Sequence, residues 1–256
     1  MVVIKGFDMI KGGPEPGLSK TAHVLNAKLE TMEYVAAQRG GDHPFKVQDC
    51  ALAAIATGKR AQNLRELRDN LLTIRPDSIY YHFWGGLLRP RFDDPEYHND
   101  FAIWTRYALQ DLVLAERLGV IDPTDFTDLE ALRQELVEVI EERLDEFELV
   151  SWAKPENQFY FVRSQIVVFD THQRIEHPEM LAQAVPRMSL GSVFLHFVDG
   201  RRRTPERVDD FRAWLEGCFE GYEDLCARLA KLDPFFSSLK ELRDQLSNVF
   251  QSCFGR

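Results

Sequence analysis

An internal duplication constrains this chain more than any other feature, because a unit written twice places matched residues in matched surroundings. Shifted against itself by 114 positions, the chain aligns Phe45 with Phe159, Thr57 with Thr171, Arg60 with Arg174, Leu67 with Leu181, Ser78 with Ser192, His82 with His196 and Phe83 with Phe197. These are seven identities over 39 ungapped positions. Exchanges such as Leu52 with Ile166, Ile55 with Phe169, Leu71 with Val185 and Tyr80 with Phe194 copy the apolar pattern as well. At a shift of 111, Arg117, Leu118, Asp122 and Pro123 meet Arg228, Leu229, Asp233 and Pro234. At 110, Asp100, Phe101 and Trp104 meet Asp210, Phe211 and Trp214, and Leu129, Leu132, Arg133, Leu136 and Val139 meet Leu239, Leu242, Arg243, Leu246 and Val249. The blocks keep their order. The chain therefore reads as a leader over 1–44, a first repeat over 45–147, a linker over 148–158 and a second repeat over 159–256.

Each repeat opens on a short aromatic and β-branched run that meets a turn region, near Thr57-Gly58 in the first and Asp170-Thr171 in the second, which predicts a small β-hairpin. Asn63 suits a helix N-cap, and Pro178 supplies a first-turn proline at the next matched position. Three further helices follow in the first repeat: about Ser78 to Leu88, Asp100 to Leu118, and Leu129 to Leu144. In the last of these Leu132, Leu136, Val139 and Ile140 form the buried stripe, with Arg133, Glu138, Glu141 and Glu142 on a solvated face. The leader holds a short strand, a linker over Gly12 to Gly17 and a helix over Leu18 to Gln38. The expected class is α+β, mainly helical: two tandem pseudo-symmetric repeats, each a hairpin with about four helices, the hairpins free to join in one sheet.

Composition narrows the function. With 41 acidic against 31 basic residues and a net charge of −10, the chain is a poor match for nucleic acid or an anionic membrane. It has neither a signal peptide nor a membrane-length apolar run, so a cytoplasmic location is expected. Cys50, Cys218, Cys226 and Cys253 lack disulfide or zinc spacing and read as reduced core residues. No phosphate loop, dinucleotide glycine pattern, nucleophile elbow or metalloprotease motif is present, so no cofactor and no metal is expected.

The polar residues kept in both repeats are the candidate site. His82 and His196 sit on short aromatic helices, followed by Arg89 and Arg91 or by Arg201, Arg202 and Arg203. An imidazole beside guanidinium forks can bind a carboxylate or phosphate; the alternative is that each histidine braces a helix against a backbone carbonyl. Asp100 and Asp210 open helices in Asp-Phe-x-x-Trp, ahead of Trp104 and Trp214, where an N-cap explains the acid.

Three stretches resemble an uncharacterised prokaryotic family, domain of unknown function 5752: Ser78-Ile79-Tyr80-Tyr81-His82, Asn99-Asp100-Phe101-Ala102-x-Trp104 and Leu114-Ala115-Glu116-Arg117-Leu118. The second repeat departs at Asp209 and Arg212. The resemblance implies bacterial origin and brings no activity. The expected function is a non-enzymatic binding or regulatory module for a protein partner or a small anionic ligand, with His82, Arg89, Arg91, His196, Arg201, Arg203, Asp100, Asp210, Trp104 and Trp214 as ligand-binding residues. A cytosolic enzyme using His and Asp as acid and base at the repeat interface, and a scaffold or homodimer, are the other readings.

Overall fold

A computed structural model describes residues 44–89, 96–146, 152–204 and 206–255. The leader's strand, linker and helix, and Arg91, lie outside them.

Two strands of 17 residues, β1 (Phe45–Ala61) and β2 (Phe159–Ile175), pair antiparallel as a ribbon in which Phe45 faces Ile175, Leu52 faces Ile166 and Ala61 faces Phe159. The expected hairpins are therefore corrected: each half contributes one unbroken strand, and the two pair with each other. The turn chemistry read near Thr57-Gly58 and Asp170-Thr171 produces bulges instead of reversals. Gly58 (φ +77) and His172 (φ 60) take the left-handed conformation there. Thr57 Oγ1 donates to the Phe161 carbonyl at 2.6 Å and Thr171 Oγ1 to the Val47 carbonyl at 2.5 Å, closing the ribbon over each bulge. Mid-ribbon, Val167, Val168 and Phe169 stay exposed.

After β1 come α1 (Leu64–Leu71), α2 (Pro76–Trp84), α3 (Asp100–Tyr107), α4 (Leu112–Gly119) and α5 (Leu129–Glu146). Asn63 caps α1 as expected, accepting from the Glu66 N–H at 2.9 Å. The single helix expected from Asp100 to Leu118 is two, because Gln110 turns left-handed (φ 57) and Asp111 caps α4 through the Leu114 N–H. After β2 come short turns around α6 (Leu181–Ala184), then a helical run over 190–203, here α7. It is α-helical over Leu190–Val193 and Gly200–Arg203 and π-helical over Phe194–Asp199. The chain closes with α8 (Asp210–Cys218), α9 (Glu223–Ala230) and α10 (Leu239–Phe254). Gly221 (φ +89) breaks α8 from α9 as Gln110 breaks α3 from α4.

The strands interlock the halves. Phe45 packs among His196, Phe211 and Trp214, while Phe159 packs among His82, Phe101 and Trp104. The first residue of each strand thus fills the aromatic core of the other half's helices, so neither half closes its own core. Arg133, expected on a solvated face, is buried. Its guanidinium donates to the Leu71 and Ile74 carbonyls, and Arg243 donates likewise to Met188. Carbonyls left open where the preceding helical turns end draw these arginines inward.

Candidate functional site

The two retained histidines sit at the strand–helix seams. On α2, His82 Nδ1 lies 2.9 Å from Asp100 Oδ2 at the start of α3, and its Nε2 accepts from the Val162 N–H of β2 at 3.1 Å. On α7, His196 Nδ1 lies 2.7 Å from Asp210 Oδ2 at the start of α8, and its Nε2 accepts from the Gln48 N–H of β1 at 2.9 Å. A backbone N–H can only donate, so Nε2 must be the lone-pair nitrogen and the ring proton sits on Nδ1, facing the carboxylate. Each acid takes a second donor on the same oxygen: Arg89 on Asp100 at 2.9 Å and Arg203 on Asp210 at 2.8 Å. The result is a relay of arginine, aspartate, histidine and strand amide, present in both halves.

Electrostatics fit a neutral His82 ring. Burial lowers the His82 pKa, with Asp100 opposing. For Asp100 and Asp210 burial pushes the carboxyl up, but the histidine and arginine together outweigh it and hold each below the usual range. Neither ring has a nitrogen left for a substrate.

The other expected residues fall into place around the relays. Asp100 and Asp210 are not caps, a correction: Asn99 and Asp209, one residue earlier, accept from the Ala102 and Arg212 N–H groups. That frees the following acid to turn to its histidine. Trp104 donates to the Asn157 carbonyl, and Trp214 lies buried in the core, tilted against Phe45. Arg201 joins no relay; it lies over Phe197 and donates to the Leu229 and Leu232 carbonyls. In the first half the matching carbonyl, Leu118, takes the Asn99 amide. With Asp in that position, Asp209 Oδ2 is buried without a hydrogen bond, 3.7 Å from Arg201 Nε, and burial raises its pKa to about 6 despite Arg201.

Exposure separates the two relays. The His196 and Asp210 side chains are 0% and 6% exposed, whereas Asp100 is 21% exposed and opens on a cleft of about 370 Å³. Trp104, Tyr107, Gln158 and Tyr160 line it, and Gln158 Oε1 is buried without a partner. Gln158 carried no sequence signal, since it lies in the linker and its match is a plain loop position. Asp199 was missed as well: it is buried, accepts from Tyr80, Arg202 and Arg203, and joins the halves. Burial raises the Cys50 thiol to about 12, where it donates to the Gly191 carbonyl. Among the described residues no group of three or more His, Cys, Asp or Glu could hold a metal, and no helix is long and apolar enough to cross a membrane.

Residues 42–251 match a family described as "Family of unknown function (DUF5752)", and the chain belongs to that family. Its fold is similar to that of OrfY from Thermoproteus tenax, with a TM-score of 0.72 and 25% identity, covering 85% of this chain and 98% of that one. No curated protein matches the sequence.

Proposed function

We propose that this member of the DUF5752 family is a non-enzymatic binding module made of two copies of one fold, 45–147 and 159–256, whose relays are joints between the copies. The observation that carries this is the occupancy of the rings: both imidazoles have Nδ1 on a carboxylate and Nε2 on the opposite strand's amide. A general base needs a nitrogen within reach of substrate, and these have none to offer. Matched bulges, matched breaks before α4 and α9, and the matched arginines Arg133 and Arg243 support the two-copy reading. Four cysteines outside any disulfide support work in a reducing compartment, the cytoplasm.

Ligand is taken at the open first relay. Asp100 Oδ1 and Gln158 Oε1 are unused acceptors beside the Trp104 and Tyr107 rings, which suits a small ligand bearing N–H or O–H donors on a flat body. An imidazole ¹⁵N correlation spectrum at pH 8 tests the joints: both rings should show the proton on Nδ1 and the lone pair on Nε2. A ring with its proton on Nε2 restores the acid–base reading. Mass spectrometry of the purified chain tests the cleft, where a bound small molecule should be lost on Tyr107→Ala.

A further inference from the structure

We infer that a second cleft, between the turn over 122–129 and the segment 198–207, binds a small organic anion, a carboxylate or phosphate group on a flat apolar body. The cleft encloses about 250 Å³. Arg201, Arg202 and Arg207 line it with Trp84, Phe126 and Thr127, so a chain of net charge −10 gathers three guanidinium groups at one hollow. Asp128 is the acid on its wall, and its Oδ1 is already engaged in capping α5 through the Glu130 and Ala131 N–H groups.

Arg201 is spent on the Leu229 and Leu232 carbonyls and contributes charge alone, but the other two guanidinium groups keep donors in hand. Arg202 places Nε and Nη2 on Asp199 Oδ1, which leaves Nη1. Arg207 places Nη1 on the Thr124 carbonyl at 2.8 Å, which leaves Nε and Nη2, and no carboxylate pairs with it among the described residues. Two half-used forks on one hollow are a recognition element for a planar or tetrahedral oxyanion.

The backbone adds an independent observation. Arg207 is held left-handed at φ 54, locked by the Thr204 hydroxyl, which accepts from the Val208 N–H and donates to the Val208 carbonyl. A non-glycine residue in this region carries strain, and here the strain swings the side chain across the seam to Thr124. The first half carries no arginine at the matching positions. By the sequence shifts that match the halves, Arg201, Arg202 and Arg207 correspond to Leu87, Leu88 and Tyr97. Phe126 and Trp84 supply the apolar wall. This site is separate from the open relay, and neither depends on the other.

The test is an NMR titration of the full chain with phenyl phosphate, benzoate and inorganic phosphate. Saturable shifts at the Trp84 indole and the Thr124 and Thr127 amides are expected with phenyl phosphate or benzoate, and the tighter of the two identifies the head group. Inorganic phosphate should bind at least about tenfold more weakly. Arg202→Gln and Arg207→Gln should each weaken binding about tenfold, the loss of one charge-assisted hydrogen bond. Arg207→Lys, which keeps the charge and loses the fork, should fall between. The proposal is overturned if neither aromatic anion shifts these signals at 10 mM, on the order of the weakest useful affinity, or if folded Arg207→Gln binds as well as the parent. Inorganic phosphate binding as tightly as phenyl phosphate would overturn the apolar-body requirement.

Discussion

His196→Ala is the substitution that best separates a joint from a reactive group. The ring is fully buried, and its loss strips the Gln48 N–H of its acceptor and Asp210 of one of its donors. An orphaned amide costs about 1–3 kcal/mol and a weakened buried carboxylate a similar amount. The cavity left against Phe45 and Phe211 adds about 1–2 kcal/mol, less than a large aliphatic truncation. The sum is about 3–8 kcal/mol, centred near 5, a large part of the roughly 5–15 kcal/mol that holds a domain folded. His82→Ala breaks the same bonds, but Asp100 opens on the cleft and water can replace the ring, so about 2–3 kcal/mol is expected. Urea unfolding followed by circular dichroism and tryptophan fluorescence measures both. Melting should fall by about 10–20 °C for the first and about 5–10 °C for the second. Losses below about 1 kcal/mol for both, or the reverse order, would refute the joint.

Asp209→Asn tests the buried acid whose Oδ2 lacks a hydrogen bond and which faces Arg201, Arg212 and Asp210. A carboxyl raised from 3.8 to about 6 stabilises the folded chain below pH 4 and loses that contribution as pH rises through 6. The variant should therefore gain roughly 2 kcal/mol on the parent between pH 4 and pH 8, read from denaturation at each pH. His82 works in the opposite direction. Its lowered pKa gives stability that is complete above 6.5 and lost as pH falls through the folded value, so His82→Gln should flatten the acid limb of the stability profile. Gly191→Ala drives a methyl into the Asp49 carboxylate and the Cys50 carbonyl, and should cost about 1–3 kcal/mol in the same assay. A fragment beginning at 152 lacks Phe45 and should show no cooperative melting in calorimetry.

Local signals were legible where one residue decides the outcome. Asn63 caps its helix, and the apolar pattern of Leu132, Leu136 and Ile140 marks the buried face of α5. What sequence could not show is where a turn motif leads. Thr57-Gly58 has the composition of a reversal, and only the partner strand, about a hundred residues away, makes it a bulge. Gln110 gave no warning of the break before α4, because a left-handed glutamine is uncommon and its match, Gly221, is the only trace. Asp100 looked like a cap because caps and first-turn acids share the same electrostatic preference. Asn99, one position earlier, was the better cap, and its competition released Asp100 to the imidazole.

The retained polar pairs carry a more general consequence. On the proposed two-copy reading, what both halves keep is what both need to fold: His82 with His196, Asp100 with Asp210 and Arg89 with Arg203 each hold the other half's strand. Retention alone pointed to a site, and the geometry explains it as assembly. Binding specificity is then to be sought where matched positions diverge: Leu88 against Arg202, Tyr97 against Arg207, and an acid open to solvent against its sealed twin. A ligand that needs two symmetric half-sites would contradict this, because the second relay has no room for it and the first half has no guanidinium to match Arg202 or Arg207.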